Sequence, residues 1–393
     1  MTSIDGAGEG SPALPSSSDR GAGDQATSGP DGSHPADLAA WGWDEGWAAT
    51  FAPIAAAGLT PARVIAQHRG QWLLVTEKGE APASLTGRFR HEAEIGGLPA
   101  VGDWVGCVPS LHDGQARIDA TVPRRSAFLR RAAGSRVAAQ VVAANVDVLF
   151  VATSLNGDLN PRRLERYVVM VRESGAEPVV VLTKADLRDD ADARVTRLSD
   201  ELRVPVVALS AKTGRGIGDL ERWFGTGRTL ALVGSSGVGK STLLNRLAGE
   251  QLMVTREIRE DDARGRHTTS HRELFRLPGG ALLLDTPGMR EIGLWDAAEG
   301  IDETFADLVE LSARCRFADC SHRLEPGCAI QAAVAAGRLD QGRLKSYRRL
   351  SHELEEQPTS AAARREKDRR FGKMVRNVAA ESMSRKTYRG RDY

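Results

Sequence analysis

Gly234-Ser235-Ser236-Gly237-Val238-Gly239-Lys240-Ser241 satisfies G-x4-G-K-[ST] at every fixed position, a spacing suited to holding a row of phosphates. The glycines let backbone N–H groups turn inward on an oxyanion, and the Lys240 ammonium can extend to the β- and γ-oxygens. The Ser241 hydroxyl, with Thr242 beside it, suits a Mg²⁺ ion. The run follows the strand-like TLALV and opens the helix-like TLLNRLAG, the setting in which such a loop works. A phosphate loop identifies a nucleoside triphosphate and leaves the base undecided.

Thr183-Lys184-Ala185-Asp186, after the strand-like PVVVL, has the [N/T]-K-x-D pattern that reads guanine. A carboxylate at Asp186 can accept from both N1–H and the 2-amino group of guanine, whereas adenine would leave it desolvated and unpaired. Ser210-Ala211-Lys212 fits the loop whose backbone contacts guanine O6. Asp285-Thr286-Pro287-Gly288 fits D-x-x-G, with Asp285 and Gly288 facing Mg²⁺ and the γ-phosphate. Thr268 and Thr269 lie between the phosphate loop and D-x-x-G, where a Mg²⁺-ligating threonine belongs, so the expected magnesium set is Ser241, Thr268 or Thr269, and Asp285. Each tetrapeptide alone is weak, but together behind strand-like runs they specify GTP, and an ATPase reading has no support at the base site. Their order along the chain is base motif, SAK, phosphate loop, threonine pair, D-x-x-G. That is a circular permutation, which a parallel sheet tolerates because its loops still emerge at one edge.

In Ras-like enzymes a Gln directly after D-x-x-G orients the attacking water, but here that position is Met289. His267, beside the threonine pair, is the candidate catalytic residue, since an imidazole can hydrogen-bond the nucleophile. The alternative is that His267 is an exposed loop residue and an RNA partner supplies or orders the missing group. Separately, Cys315-x4-Cys320-x-His322-x5-Cys328 offers three thiolates and an imidazole, a complete tetrahedral set for one structural Zn²⁺. A disulfide would strand one of the three thiols. Cys107, in the apolar run GDWVGCV, reads as a buried core thiol.

These residues need elements to position them, and the texture of the 393-residue chain supplies an order of domains. Residues 1–36 read as a disordered tail rich in Gly, Ser, Pro and Asp, and residues 37–60 as a short helical extension with four aromatics. Residues 61–130 hold short β-like runs (ARVIAQ, QWLLVT, ASLTGRFR, GDWVGCV, QARIDATV) that suit an OB-type barrel, with Arg63, His68, Arg69, Arg88, Arg90, Arg124, Arg125, Arg130 and Arg131 on or after it. That basic set is an RNA-facing surface or a solvated barrel face. Residues 136–296 alternate apolar strands with helices, an α/β domain with a parallel sheet, and 297–356 form a mainly helical zinc-binding domain. Residues 357–393 form a basic tail, and 361–393 carry eleven Lys and Arg against four acids. Residues 1–47 carry eight acids against one arginine, an end-to-end asymmetry that fits either a polyanion-facing tail or two solvated tails. The start of the chain has neither the basic nor the apolar region of a secretory signal, and no apolar run is long enough to span a membrane. The expectation is a cytoplasmic protein.

With these motifs assembled, the chain resembles the ribosome-small-subunit-dependent GTPase A family, RsgA, over about residues 40–356. The resemblance is carried by GDWV (Gly102–Val105), the permuted G motifs, GRHTT (Gly265–Thr269), DTPGMRE (Asp285–Glu291) and the Cys/His cluster. It implies a permuted P-loop GTPase domain between an N-terminal OB barrel and a C-terminal zinc domain, GTP/GDP with Mg²⁺, and a catalytic role for His267. It further implies a monomeric factor in late assembly of the 30S ribosomal subunit, touching 16S rRNA and no membrane, with hydrolysis stimulated by the subunit. Thr183 departs from the Asn of many GTPases. From the residues alone, an alternative is a nucleotide-gated RNA-binding checkpoint in which hydrolysis only times release.

Overall fold

A computed structural model describes residues 37–68, 70–93, 97–108, 114–131, 139–248, 272–285 and 298–355. The segments 1–36 and 357–393, with His267, Thr268, Thr269 and Gly288, lie outside the described residues.

Asp44 opens helix α1 (Glu45–Ala55) by accepting from the Trp47 N–H at 2.7 Å. The same carboxylate takes two hydrogen bonds from Arg125, whose guanidinium sits 4.1 Å from the Trp47 ring centre. Trp47 and Phe51 are buried, and Trp43 meets Trp104 edge-on at 4.7 Å, so this aromatic segment packs on the barrel that follows.

That barrel is built from β1 (Thr60–His68), β2 (Gln71–Thr76), β3 (Gly79–Leu85), β4 (Trp104–Val108) and β5 (Ala116–Thr121), with helix α2 (Gly87–Glu92) between β3 and β4. The strands run in the order β1-β2-β3-β5-β4 and close through pairing of β4 with β1. The run ASLTGRFR, expected as one strand, is split. The strand stops at Leu85 because the Thr86 hydroxyl accepts from the Phe89 N–H and caps a helix over GRFR. A bulge between Val64 and Ala66 lets β1 serve two neighbours, its first half on β4 and its second on the strand Arg272–Arg276 of the next domain.

Asp103 is fully buried beside β4, accepting from the Ala100 N–H and from two nitrogens of Arg124 at 2.7 and 2.8 Å. Removing one partner of a buried pair leaves the other desolvated. Asp103→Ala is therefore expected to destabilise the chain by about 3 kcal/mol. Denaturant unfolding checks this, and a midpoint equal to wild type would refute it.

After an antiparallel pair, β6 (Ala127–Arg131) and β7 (Ala139–Ala144), comes the α/β domain. Its elements are β8 (Val148–Ser154), α3 (Pro161–Ser174), β9 (Glu177–Thr183), α4 (Ala191–Leu202), β10 (Val206–Ala208), β11 (Thr229–Gly234), α5 (Lys240–Ala248), β12 (Arg272–Arg276) and β13 (Leu282–Asp285). The sheet order is β10-β9-β8-β11-β13-β12, parallel as far as β13. β12 was not expected as a strand and runs antiparallel to β13, so the sheet is mixed and joins the barrel through β1. Successive residues alternate between two apolar layers: Val148, Phe150, Val179 and Val181 face one side, and Leu149, Val151, Val180 and Leu182 the other. Helix α3 is bounded by its sequence: Asn160 caps Arg162 and Arg163, Pro161 fixes the first turn, and Gly175 ends it in a left-handed conformation.

Among the described residues four more helices follow, α6 (Ala298–Thr304), α7 (Ala306–Ser312), α8 (Ala329–Ala335) and α9 (Gln341–Glu355). Arg343 of α9, 4% exposed, ties them to α3 by donating to Glu165, to both oxygens of Asp307 and to the Thr304 carbonyl. Among the described residues no helix is long and apolar enough to cross a membrane.

Candidate functional site

Strands β9, β10, β11 and β13 end at one edge of the sheet, and the candidate nucleotide residues sit where those strands stop. Gly234 closes β11 against the neighbouring strand so tightly that a Cβ there would lie 2.2 Å from the Ala152 carbonyl oxygen. Only glycine permits that approach together with its φ of 150°. Beyond it, Gly237 and Gly239 have φ of 78° and 99°, and a Cβ on either would meet nothing within 4 Å. The loop thus leaves open space beside its backbone, as a phosphate cradle requires. The Lys240 ammonium arches back to the Gly234 and Ser235 carbonyls at 2.8 and 2.6 Å. Val238 is buried under the loop, while Ser236 and Gly237 are exposed. Ser241 and Thr242 are exposed on the first turn of α5, next to the positive end of its dipole.

The base loop is fastened directly to the phosphate loop. The Thr183 hydroxyl donates to the Val238 carbonyl, and the Lys184 ammonium donates to the Gly237 carbonyl at 2.8 Å. Lys184 adopts a φ of 59°, a left-handed conformation that is strained for a side chain of this kind and common at functional loops. The SAK loop closes on the same place: the Ala185 N–H donates to the Leu209 carbonyl, and the Ser210 hydroxyl accepts from the Thr213 N–H. Ser210 is buried, whereas Ala211 and Lys212 lie toward the surface. The exposed Asp186 carboxyl is held below its ordinary pKa, first by the Ser210 hydroxyl and then by backbone N–H and the Lys212 charge, with desolvation opposing. At neutral pH it is an acceptor only. Asp285 ends β13, on the strand next to β11. Ser241, on the first turn of α5, and Asp285, at the end of β13, carry hard oxygen donors of the kind that bind Mg²⁺. Gly288 and the remaining candidates, His267, Thr268 and Thr269, lie outside the described residues. The sequence did not reveal that Thr183 and Lys184 brace the phosphate loop, because that contact joins residues more than fifty positions apart.

The second candidate site is brought together by the helical region. The ligand atoms of Cys315, Cys320, His322 and Cys328 all lie within 4.8 Å of one another. His322 Nδ1 is 3.6 Å from Cys315 Sγ and 3.7 Å from Cys328 Sγ, and those two sulfurs are 4.0 Å apart. A tetrahedral zinc with ordinary Zn–S and Zn–N bonds needs edges of about 3.5–3.8 Å. The four residues therefore fit the ion. Desolvation first, and then the crowding of the Cys328 and Cys315 sulfurs, push the Cys320 thiol up to about 11, so three thiolates here call for a cation. The loop is preformed: the Glu325 carboxylate accepts from the Ser321, Arg323 and Leu324 N–H groups and the Ser321 hydroxyl, and these bonds hold it down to about 2. Cys107 is a core thiol, fully buried and 3.6 Å from the Thr60 hydroxyl, with burial raising its pKa.

With this geometry in place, a family model described as RsgA GTPase matches residues 121–295. The small ribosomal subunit biogenesis GTPase RsgA of Opitutus terrae is 48% identical over 329 residues, which cover 80% of this chain and 89% of that protein. The crystal structure of YjeQ from Thermotoga maritima is similar at a TM-score of 0.56 and 26% identity, covering 76% of this chain and 99% of that one. The structure of YloQ, described as a circularly permuted GTPase, is similar in fold at a TM-score of 0.54 and 24% identity, covering 77% of this chain and 97% of that one.

Proposed function

The chain belongs to the RsgA GTPase family, and from that premise we propose that it binds the 30S subunit through 16S rRNA late in assembly and hydrolyses GTP to GDP and phosphate under the subunit's stimulation. The observation that carries the nucleotide part is the fastening of an exposed, ionised Asp186 to the phosphate loop through Thr183 and Lys184. That brace fixes the distance between base reader and phosphate cradle, which is what selects a guanine nucleotide as a whole rather than its parts.

In this reading Asp186 accepts from guanine N1–H and the 2-amino group, while Ser210, Ala211 and Lys212 flank the base. Gly234 to Gly239 present N–H groups to the β-phosphate, and Lys240 leaves its two carbonyls for the β- and γ-oxygens. Ser241, Asp285 and one of Thr268 or Thr269 would hold Mg²⁺, which would supply positive charge beside the leaving phosphate. Gly288 senses the γ-phosphate through its backbone, and His267 orients the water that attacks phosphorus as the bond to the β-bridging oxygen breaks. The protein acts as a monomer in the cytoplasm, without a membrane. The Cys315–Cys320–His322–Cys328 set holds one structural zinc, closed to substrate because all four positions are protein ligands. Metal analysis of freshly reduced protein is expected to give one zinc per chain, and finding none in soluble, folded protein would refute the assignment. Chemical footprinting on purified 30S subunits tests the partner. Protection of 16S rRNA with a non-hydrolysable GTP analogue and its loss with GDP is expected, and no protection in either state would overturn the reading.

A further inference from the structure

Of the four Cys/His residues, only His322 has a left-handed backbone, with a φ of 59°. That conformation is uncommon for a residue with a Cβ, so contacts must hold it. From this backbone the imidazole brings Nδ1 to 3.6 Å from the Cys315 sulfur and 3.7 Å from that of Cys328. Zinc bonds vary by only about 0.2 Å, so the reach of the ring leaves little room for error.

The turn around His322 is gripped from two sides. On its N–H side the Glu325 carboxylate accepts from Ser321, Arg323 and Leu324. Glu325 belongs to the same turn, so these bonds shape the turn itself. On its carbonyl side the grip comes from helix α8. There the half-buried Gln331 donates from Nε2 to the His322 carbonyl at 2.6 Å and to the Arg323 carbonyl at 3.1 Å. An amide nitrogen carries two hydrogens, so both bonds form at once, and two carbonyl partners require that the nitrogen rather than the oxygen faces the turn. The backbone N–H of the same residue donates to Cys328 Sγ at 3.4 Å, where Cys328 caps α8. Gln331 thus touches two of the four ligand residues, His322 through its side chain and Cys328 through its backbone.

We propose that Gln331 is a positioning residue of the zinc centre, holding the His322 imidazole at bonding distance by tying its backbone to the helix that Cys328 opens. It gives the ion no ligand atom. The inference rests on the zinc reading given above, and it goes further by naming a side chain outside the four ligands that sets how well the histidine serves. Outer groups of this kind govern metal affinity by about ten- to a hundredfold.

The test uses the full chain and measures zinc affinity by competition with a chromophoric chelator, with circular dichroism of the same samples. Gln331→Met keeps the length and helix-forming character of the side chain and removes both donors. It is expected to weaken zinc binding about ten- to a hundredfold while the helical signal of the zinc-saturated protein stays unchanged. Gln331→Glu sets a carboxylate against two carbonyls and should weaken binding at least as far, and it decides alone if the methionine variant fails to fold. Both substitutions are repeated in a His322→Ala background, where no imidazole remains to be positioned and neither should add a further loss. Wild-type affinity in Gln331→Met, or the same loss with and without His322, would overturn the proposal. Wild-type protein that holds no zinc would overturn the zinc reading itself, a distinguishable result.

Discussion

Asp186→Asn is expected to lower GTP affinity by about four orders of magnitude while raising affinity for xanthosine triphosphate, because the substitution turns an acceptor into a donor at the one place the base is read. In the wild type the carboxylate is kept ionised by the Ser210 hydroxyl and neighbouring charge, so it offers acceptors to both guanine donors. The amide presents an N–H toward the guanine amino group and leaves two donors facing each other. Xanthine carries an oxygen where guanine carries that amine, and the same amide then has a partner. Phosphate contacts are untouched, so the loss should fall on the base and not on the nucleotide in general. Competition against a fluorescent guanine nucleotide measures the switch. Equal competition by ATP and GTP for the wild type would show that this loop does not read the base.

His267→Ala is expected to leave GTP binding nearly unchanged and to cut 30S-stimulated hydrolysis by roughly two to four orders of magnitude, the usual contribution of a positioned acid–base group. The reasoning begins from Met289, which follows D-x-x-G and has no group able to orient water. His267 adjoins Thr268 and Thr269 and carries an imidazole able to hydrogen-bond the nucleophile. Single-turnover hydrolysis with saturating 30S subunits separates chemistry from binding. A variant that binds the subunit normally and hydrolyses at the wild-type stimulated rate would return the role to the RNA.

The parts of this molecule that were legible in its sequence are those where chemistry dictates residue type and spacing together. The phosphate loop, TKAD, SAK and the Cys/His set each announce a ligand, and strand-like runs ahead of the GTP motifs gave their location in an α/β sheet. Contacts between distant segments were not legible. β12 reads Arg-Glu-Leu-Phe-Arg, too charged to suggest a buried strand, yet its pairing with β1 makes barrel and G domain one continuous sheet. GRFR reads as the end of a strand because Thr86 and Phe89 are themselves residue types that favour strands, and the capping role of Thr86 shows only in the fold. Arg343 carries no local signal of burial, and its place inside follows from pairing with Glu165 and Asp307, residues more than thirty positions away.

GTP turnover measured with and without purified 30S particles decides whether this chain is a GTPase whose activity belongs to the 30S subunit. Slow turnover alone, a saturable rise as 30S subunits are added, and no comparable rise with ATP or with 50S subunits are expected. Turnover that is the same with and without 30S subunits would refute that role.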